Sequence, residues 1–361
     1  MSFLLGNKVN ISVSGASHSE FIEIKVAGLP QGEAVDLDGV RAFLKRRQGG
    51  NASYTTARRE ADEPEILSGL HNGLLTGDVL TARFANSNAR SKDYSKMRHI
   101  PRPSHADYVA YVKYGDKLNM AGGGFFSGRM TLPVCFAGAV CMQILARRGI
   151  DIAAHILSVG DVSDTPFDPV LPVCDKLADH ALAVVSKNAG DKMTSLMESV
   201  SHDGDSVGGC IECKVTGVNA GLGDPIYDSV ESALSYAIFG IPAIKGIEFG
   251  EGFGVCRDRG SKSNDPFVIK DGKVVCETNN SGGIQGGITN GMPIVFRVAV
   301  KPTPSIYRPQ RSVDLEKMEE CELVIEGRHD SCIVPRVVPC IEAMTALVMA
   351  DLITSEDKTD E

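Results

Sequence analysis

The sequence predicts an α+β fold in a single domain, because strand and helix patterns are mixed along its whole length and no linker divides it. Of its 361 residues, 43% are hydrophobic and 23% are charged. This composition is typical of globular proteins and unlike that of disordered, collagen-like or coiled-coil chains. No Pro-rich or Ser-rich stretch separates two compositional halves. We therefore expect one domain over residues 1–354 and a frayed acidic tail over residues 355–361.

The first regular elements are predicted near the amino terminus. Aliphatic residues alternate with charged residues over 22–26, which is the period-2 pattern of a strand with one buried face. Asp36 can cap a helix whose apolar residues over 40–44 share one face, and Gly49-Gly50 ends it. The pattern therefore predicts a strand followed by an amphipathic helix.

Three later segments are more continuously apolar. The stretch 132–146 contains Pro133 and is shorter than the ~18 residues that suggest a membrane span, so we interpret it as a buried helix. Residues 294–300 are typical of a largely buried strand. Residues 339–353 are apolar on nearly all sides, which predicts a second buried helix with Pro339 in its first turn.

Charge and terminal sequence exclude several classes of function. The formal net charge is −9 and the sequence pI is about 5.5, which argues against a general binder of nucleic acids or anionic membranes. The apolar run at 3–5 is too short for the apolar region of a signal peptide. We expect a cytoplasmic protein with no nucleic-acid or membrane partner, in which any anionic ligand must meet a local basic patch.

The ten cysteines are scattered along the chain, which is typical of reduced core thiols and not of a disulfide framework. Only Cys210 and Cys213 have the spacing of a metal or redox pair. No second pair follows, and apolar and polar residues alternate over 210–218, so a strand is favoured over such a site. No other spacing of metal-binding side chains is found, and no metal is expected.

Positive charge is concentrated in two stretches of this acidic chain. The first comprises Arg41, Lys45, Arg46, Arg47, Arg58 and Arg59, and the second comprises Arg83, Arg90, Lys92, Lys96, Arg98 and Arg102. Solvated helix and loop surface would explain them. A site for a multiply charged anion would also explain them, since guanidinium groups form paired bonds to phosphate and carboxylate. The residues alone leave both explanations open.

Glycine-rich loops and loop histidines could contribute to such a site. Backbone amides could approach a ligand closely at 122–124 and 281–287, although tight turns explain the same glycines. Neither segment follows a Walker or dinucleotide-binding pattern. His18 and His105 also lie in predicted loops, where a histidine is more often a surface group than a catalyst, and residues 15–19 do not fit a serine nucleophile.

Ordered motifs along most of the chain resemble those of the chorismate synthase family. They comprise Arg46-Arg47, Tyr54-Thr55-Thr56, Arg58-Arg59-Glu60, Glu65-Ile66-Leu67-Ser68-Gly69, Arg90-Ser91-Lys92-Asp93-Tyr94, Arg102-Pro103-Ser104-His105-Ala106-Asp107-Tyr108, Gly122-Gly123-Gly124, Ala220-Gly221-Leu222-Gly223, Lys245-Gly246, residues 281–287, Lys301-Pro302-Thr303-Pro304-Ser305-Ile306 and Gly327-Arg328-His329-Asp330. Chance does not produce so many motifs in one order.

The resemblance implies a chorismate synthase-like sandwich of helices between β-sheets, assembled as a homotetramer of single-domain subunits. It implies removal of phosphate and a C6 proton from 5-enolpyruvylshikimate 3-phosphate to give chorismate, in the shikimate pathway of aromatic amino-acid biosynthesis. The resemblance also implies that reduced FMN is required, although no net oxidation occurs. A reduced flavin fits this chemistry, because cleaving an unactivated C–H bond is beyond an ordinary side-chain base. Whether the protein reduces FMN itself with NADPH is left open.

The family's functional residues map onto this sequence motif by motif. The resemblance assigns proton donation to His18 and His105, one toward the leaving phosphate and the other toward the reduced flavin. It assigns Asp330, together with Ser17, to helping the flavin receive the C6 proton. Cofactor contacts map to Ser127, Ala243, Gly286, Lys301, Pro302, Thr303, Pro304, Ser305 and Arg328, and substrate contacts map to Arg46, Arg47, Arg102 and Arg129.

Some positions depart from the family pattern. Phe125-Phe126 and Ser53 stand where the family usually has polar or basic residues, and the His18 loop reads Gly-Ala-Ser-His-Ser in place of Gly-Glu-Ser-His-Gly. Each lost charged hydrogen bond could weaken ligand binding by about 1.5–3 kcal/mol.

Two functions remain open. The retained histidines favour an active carbon–oxygen lyase, whereas the altered loop favours a non-catalytic paralogue that keeps the fold and anion or flavin binding.

Overall fold

The computed structural model describes residues 2–50, 54–55, 61–86, 99–115, 121–325 and 329–356. Its strands are β1 (Ser2–Leu5), β2 (Asn10–Gly15), β3 (Phe21–Ala27), β4 (Glu65–Ser68), β5 (Leu70–His71), β6 (Leu74–Leu75), β7 (Leu80–Ala85), β8 (Asp151–Val159), β9 (Val162–Ser163), β10 (Gly209–Thr216), β11 (Ile244–Phe249), β12 (Phe267–Lys270), β13 (Lys273–Cys276), β14 (Ile284–Gln285), β15 (Ile288–Thr289), β16 (Ile294–Val300), β17 (Gln310–Asp314) and β18 (Glu319–Leu323). Its α-helices are α1 (Leu37–Arg47), α2 (Asp107–Tyr114), α3 (Thr131–Arg147), α4 (Lys187–His202), α5 (Val230–Ile238), α6 (Gly260–Ser263) and α7 (Val334–Glu356).

Two five-stranded sheets form the outer layers. The first sheet has the strand order β1-β2-β3-β7-β4 and the second has the order β11-β16-β10-β8-β9, with antiparallel neighbours throughout. Ile24 lies opposite Val13 on one neighbouring strand and Ala82 on the other, and all three are buried. The register is therefore specified, because a slip by one residue would turn this apolar face toward solvent.

The helices lie between these two sheets. Helix α3 packs against β2, β3 and β7 of the first sheet and against β8 of the second, while α7 packs against α3, β8 and β10. The two long helices approach so closely that a Cβ atom on Gly138 would lie 2.4 Å from Cα of Ala343. The predicted α+β sandwich of helices between β-sheets, in a single domain, is confirmed.

Several predicted elements are found where the sequence places them. The alternating residues 22–26 lie in β3, and residues 294–300 form β16. Asp36 caps α1, since its side chain accepts a hydrogen bond from the backbone nitrogen of Asp38. Cys210 and Cys213 lie in β10, which confirms the strand predicted for them.

The last helix differs from its prediction at both ends. It begins at Val334, so the prediction that Pro339 lies in the first turn is wrong. The side chains of Val334, Val337 and Val338 are buried, and this burial extends the helix toward its start despite the backbone hydrogen bond that an interior proline removes. At the other end α7 continues to Glu356, so the first residues assigned to the acidic tail are helical, and residues 357–361 lie outside the described part of the chain.

Two described helical stretches, Gly128–Arg147 and Val334–Ser355, are long and apolar enough to cross a membrane. In each of them 78% of the most apolar window is buried inside the fold. Core helices between two sheets meet the same criteria of length and composition. The stretch 132–146 is therefore confirmed as a buried helix of the fold, which is α3.

Candidate active site

A cavity of about 950 Å³ opens at one end of the helix layer, where segments from distant parts of the chain converge. It is lined by residues 47–49, Asp62, residues 104–106, residues 125–129, Thr131, residues 239–245, Lys301, residues 303–305, residues 329–330, Ile333, Arg336, Val337 and Cys340. Ligand sites commonly have volumes of about 300–1,000 Å³. The cavity is thus large enough for a small substrate together with a ring-containing cofactor.

Two arginines on the cavity wall share one carboxylate. Nη2 of Arg47 donates to Oδ2 of Asp62 at 2.9 Å, and Nη1 of Arg129 donates to Oδ1 at 2.8 Å. All three residues are buried, and a buried charge without a partner would be costly. The shared carboxylate therefore fixes two guanidinium groups side by side, an arrangement suited to binding phosphate or carboxylate.

Asn86 connects Arg129 to the loop that carries Ser17 and His18. Oδ1 of Asn86 accepts a hydrogen bond from Nε of Arg129 at 2.5 Å, and its Nδ2 donates to two backbone carbonyls within residues 15–19. Ser17 is fully buried and His18 is half-buried, and neither side chain lines the cavity. The structure therefore places this loop behind the arginine pair.

His105 lies on the cavity wall and is held by residues behind it. Its Nδ1 is 2.7 Å from Oδ1 of Asp107, and Arg102 donates to both carboxylate oxygens of Asp107 through Nε and Nη2. Although burial opposes the shift, hydrogen bonds from Arg102 and His105 hold the pKa of Asp107 well below its usual range. As a carboxylate, Asp107 can accept a hydrogen bond from Nδ1 of His105, and Nη2 of Arg102 lies 3.0 Å from the same nitrogen. The Cε1–Nε2 edge of the ring faces Gly123.

Asp330 lines the same cavity, just before α7. Its Oδ2 accepts a hydrogen bond from Nη1 of Arg336 at 2.5 Å, and Nε of Arg336 donates to the backbone oxygen of Arg47. His329 also lines the cavity beside it. The start of α7 is therefore connected to the end of α1, and Asp330 is positioned by a cation that both helices hold.

The cavity is positively charged although the chain is acidic. Five cationic side chains and two carboxylates line its described part: Arg47, Arg129, Lys245, Lys301 and Arg336, with Asp62 and Asp330. The pKa of Lys301 is lowered, first by burial and second by the positive charge of Lys245. A cavity that holds cations so close that they repel one another is suited to a multiply charged anion.

One wall of the cavity could hold a flat cofactor. The rings of Phe125 and Phe126 line it with centroids 5.0 Å apart, and Phe125 also packs against Phe3 and Tyr114. Oγ1 of Thr303 is buried at the cavity with no hydrogen-bond partner in the described part of the chain. A flavin fits this combination, because its ring can pack on phenyl groups and its polar edges can accept from a hydroxyl.

Most of the predicted site residues line this cavity. They are Arg47, His105, Ser127, Arg129, Ala243, Lys301, Thr303, Pro304, Ser305 and Asp330. Arg102 lies directly behind them, where its Nη1 donates to Oγ of Ser305 at 3.2 Å. The structure thus brings together residues that the sequence separates by more than half of its length.

Other predicted site residues are placed elsewhere. Arg46 points away from the cavity and forms two hydrogen bonds with the buried carboxylate of Glu342. Pro302 is exposed beside the cavity without lining it, and Gly286 is exposed at the tip of the β14–β15 hairpin. Arg328 lies outside the described residues.

Sequence reasoning assigned no role to several residues that position the site. Asp107 and Lys245 lie within matched motifs, which is a signal that could have found them. Asp62, Asn86 and Arg336 carry no such signal, because an isolated carboxylate, amide or arginine is common on any protein surface. Their importance follows only from burial and from the partners that the fold supplies.

Comparison with known proteins identifies the relatives of this chain. The model of the chorismate synthase family matches residues 9–354. Chorismate synthase from Thermococcus gammatolerans is 46% identical over 346 residues, covering 96% of both chains. Chorismate synthase from Lancefieldella parvula is 42% identical over 369 residues, covering 98% of this chain and 97% of the relative.

A solved structure has the same architecture. A crystal structure of chorismate synthase superposes with a TM-score of 0.75 at 27% sequence identity, covering 97% of this chain and 93% of the other. The similarity therefore extends over both sheets and the helices between them, and over the segments that form the cavity.

Proposed function

The chain belongs to the chorismate synthase family, and from this premise we propose that the cavity binds 5-enolpyruvylshikimate 3-phosphate together with reduced FMN. The protein is a carbon–oxygen lyase, a chorismate synthase, that removes phosphate from this substrate to give chorismate. The observation that supports this proposal is the cavity itself, since five cations and two carboxylates line its described part in a chain of net charge −9. Nothing in the comparisons favours the non-catalytic alternative.

The arginine pair supplies the anion-binding part of this proposal. The substrate carries one phosphate and two carboxylates, and Arg47 and Arg129 are held at fixed positions by Asp62. Because these guanidinium groups are already desolvated and paired, they need little reorganisation when negative charge develops on the leaving phosphate. Lys245 and Lys301 add further positive charge to the lining of the cavity.

The proton chemistry is assigned to His105, His18 and Asp330. Asp107 holds Nδ1 of His105, which leaves Nε2 to donate or accept a proton at the cavity. Asp330 is oriented by Arg336 and assists removal of the C6 proton. The family resemblance assigns His18 and Ser17 to the same proton chemistry, and their loop is joined to Arg129 through Asn86. When bound, reduced FMN supplies the electron density that an ordinary side-chain base lacks.

The cofactor is proposed to lie between the phenyl wall and the loop over residues 301–305. Oγ1 of Thr303 is available to donate to it, and Lys301 is held nearby through its bond to the backbone oxygen of Ser104. Phe125 and Phe126 offer flat apolar surface for the ring. These groups bind and orient the flavin and exclude water from one face of it.

We also propose a cytoplasmic homotetramer that acts in the shikimate pathway. Large exposed apolar side chains outside the strands support subunit contact, since Tyr227 is 88% exposed and Phe253 is 78% exposed. Surfaces of this kind are typical of interfaces. The same proposal requires a donor of electrons that reduces FMN, such as NADPH.

The proposal is tested by anaerobic incubation of the protein with substrate and chemically reduced FMN. Chorismate and inorganic phosphate should appear in equal amounts, and Arg129→Met should lower kcat/KM by at least about 10-fold, the worth of one lost charged hydrogen bond. Arg311→Met is the matched control, because Arg311 is an exposed arginine paired with Glu320 far from the cavity. Phosphate release without chorismate would contradict the proposed reaction.

A further inference from the structure

One wall of the cavity carries a thiol that the elimination reaction does not use. Cys340 lines the cavity although it is only 3% exposed, and its Sγ lies 3.7 Å from Sγ of Cys135. Cys135 is fully buried behind it. One sulfur of the pair therefore meets whatever enters the cavity, while the other is reached only through the first.

The two helices that carry these sulfurs are held in close contact. Cys135 lies on α3 and Cys340 on α7, and one turn further along the same helices a Cβ on Gly138 would meet the backbone of Ala343. Disulfides require Cα atoms no more than about 6.8 Å apart and an S–S distance of about 2.05 Å. The close approach of the helix backbones and the 3.7 Å between the sulfurs make this pair the candidate for a disulfide between α3 and α7.

The surroundings of the two sulfurs shift their pKa values in opposite directions. The hydrogen bond from Cys135 lowers the pKa of Cys340, burial opposes this effect, and the Arg47 guanidinium adds to it. Burial instead raises the pKa of Cys135 well above its usual value. Because Cys340 lines the cavity whereas Cys135 is fully buried, Cys340 is the sulfur that a reagent in the cavity reaches first, and its thiolate form is the nucleophile.

We propose that Cys340 is a site of oxidative modification on the cavity wall and that Cys135 resolves it by forming a reversible disulfide between α3 and α7. The oxidant is hydrogen peroxide. The Cys340 thiolate attacks one peroxide oxygen, the O–O bond breaks, hydroxide leaves and a sulfenic acid forms. The Cys135 thiol then attacks that sulfur, the S–O bond breaks and water leaves, so that two electrons have passed from the sulfurs to peroxide.

The consequence lies in the cavity. A disulfide draws Cys340 toward α3, removes a thiol from the cavity wall and joins the two helices that carry the pair. Reduction by a small dithiol reverses each of these changes. The modification therefore connects the redox state of the surroundings to the shape of the anion-binding cavity.

The test is peptide mass spectrometry of the full-length reduced protein. With iodoacetamide near neutral pH, Cys340 should be alkylated on the order of 100-fold faster than Cys141, a difference expected from their thiolate fractions. Cys141 is the matched control, because it lies on α3, is fully buried, and has its pKa raised to about 12 by burial. Alkylation of Cys340 no faster than of Cys141 would overturn the proposal.

Peroxide treatment provides the second readout. After free thiols are blocked by alkylation, we expect a disulfide-linked peptide pair that joins Cys135 to Cys340. This pair should disappear on addition of dithiothreitol, and Cys141→Ser should give the same result. In Cys135→Ser, the sulfenic acid on Cys340 should persist and be trapped by dimedone. Oxidation of exposed Cys256 alone, with Cys135 and Cys340 unchanged in the wild-type protein, would overturn the proposal without depending on any variant.

Discussion

Oδ1 of Asp107 lies 2.7 Å from Nδ1 of His105, so a carboxylate two residues away fixes the ring that faces the cavity. Asp107 is itself held by Nε and Nη2 of Arg102. The three side chains come from one turn that leads into α2. The Cε1–Nε2 edge of His105 therefore points away from Arg102 and Asp107.

Asp107→Asn should lower kcat by about 100-fold, the lower end of what a positioned proton donor contributes, while KM changes little. The amide can donate to Nδ1, which favours the other tautomer and removes the negative charge behind the ring. Steady-state kinetics under anaerobic conditions measure the effect. Asp38→Asn is the control, since Asp38 is an exposed carboxylate paired with Arg41. A raised KM with unchanged kcat would contradict a positioning role for Asp107.

Arg46→Met should destabilise the fold by about 1.5–3 kcal/mol, the worth of a hydrogen bond to a charged group, because the buried Glu342 carboxylate loses its cationic partner and keeps the backbone nitrogen of Ala154. KM should be nearly unchanged, since Arg46 does not line the cavity. Urea unfolding and anaerobic kinetics separate the two effects. Arg41→Met on the same helix removes only surface ion pairs and should cost about 0–1 kcal/mol.

The same variant should also have a distinct pH dependence of stability. Burial raises the pKa of Glu342 and the positive charge of Arg46 opposes that rise. Replacing Arg46 therefore raises the pKa of Glu342 further. The folded state then binds the proton more tightly than the unfolded state, and the free energy of unfolding falls as pH rises from the ordinary range of a glutamate toward the raised value. A variant whose stability did not fall more steeply with pH than that of the wild type would contradict this assignment.

Asp330→Asn should lower kcat more than it raises KM, because the change keeps the shape of the side chain and removes its basicity. Arg336 can still donate to the amide oxygen, so the connection between α7 and α1 is kept. Anaerobic kinetics and a thermal melt are measured together. Normal turnover with a lower melting temperature would instead indicate a purely structural carboxylate at the start of the helix.

The double variant Phe125→Arg, Phe126→Ser should bind FMN more tightly and turn over as fast as the wild type or faster, because it restores donors for flavin oxygens. In the native protein we expect weak FMN binding that strengthens when substrate is present, by reciprocal coupling. Calorimetry of FMN with and without substrate measures both. Weaker FMN binding by the variant would contradict this expectation and show that the stacking lost with the two phenyl rings, about 0.5–1.5 kcal/mol per ring, outweighs the restored donors.

The fold was predictable from the sequence where burial follows a regular period. The alternation over 22–26 and the apolar run over 294–300 each became a strand, because one face or both faces of the segment are buried. The start of α7 was not predictable, since Pro339 is an ordinary helix-start residue and only tertiary burial of Val334 and Val338 extends the helix before it.

The site was predictable only in part. The motifs identified His105, Arg129 and Asp330, which line one cavity. They did not distinguish Arg46 from Arg47, because adjacent residues on a helix point about 100° apart and only the fold decides which one meets the cavity. Asp62 was missed because its role depends on two arginines that are distant in the chain or on another element.

The most direct test of whether this cavity carries out the elimination is the anaerobic rate of chorismate formation. The rate is measured for the wild type, His105→Ala and His18→Ala, and circular dichroism checks that each variant is folded. We expect the wild type to form chorismate and each variant to be slower by about 100-fold or more, the usual worth of a positioned proton donor. His71→Ala, which removes an exposed histidine from β5, should keep the wild-type rate. Rates within about threefold of the wild type for both variants, far below the effect of losing a general acid, would contradict the assignment of these histidines and of the cavity.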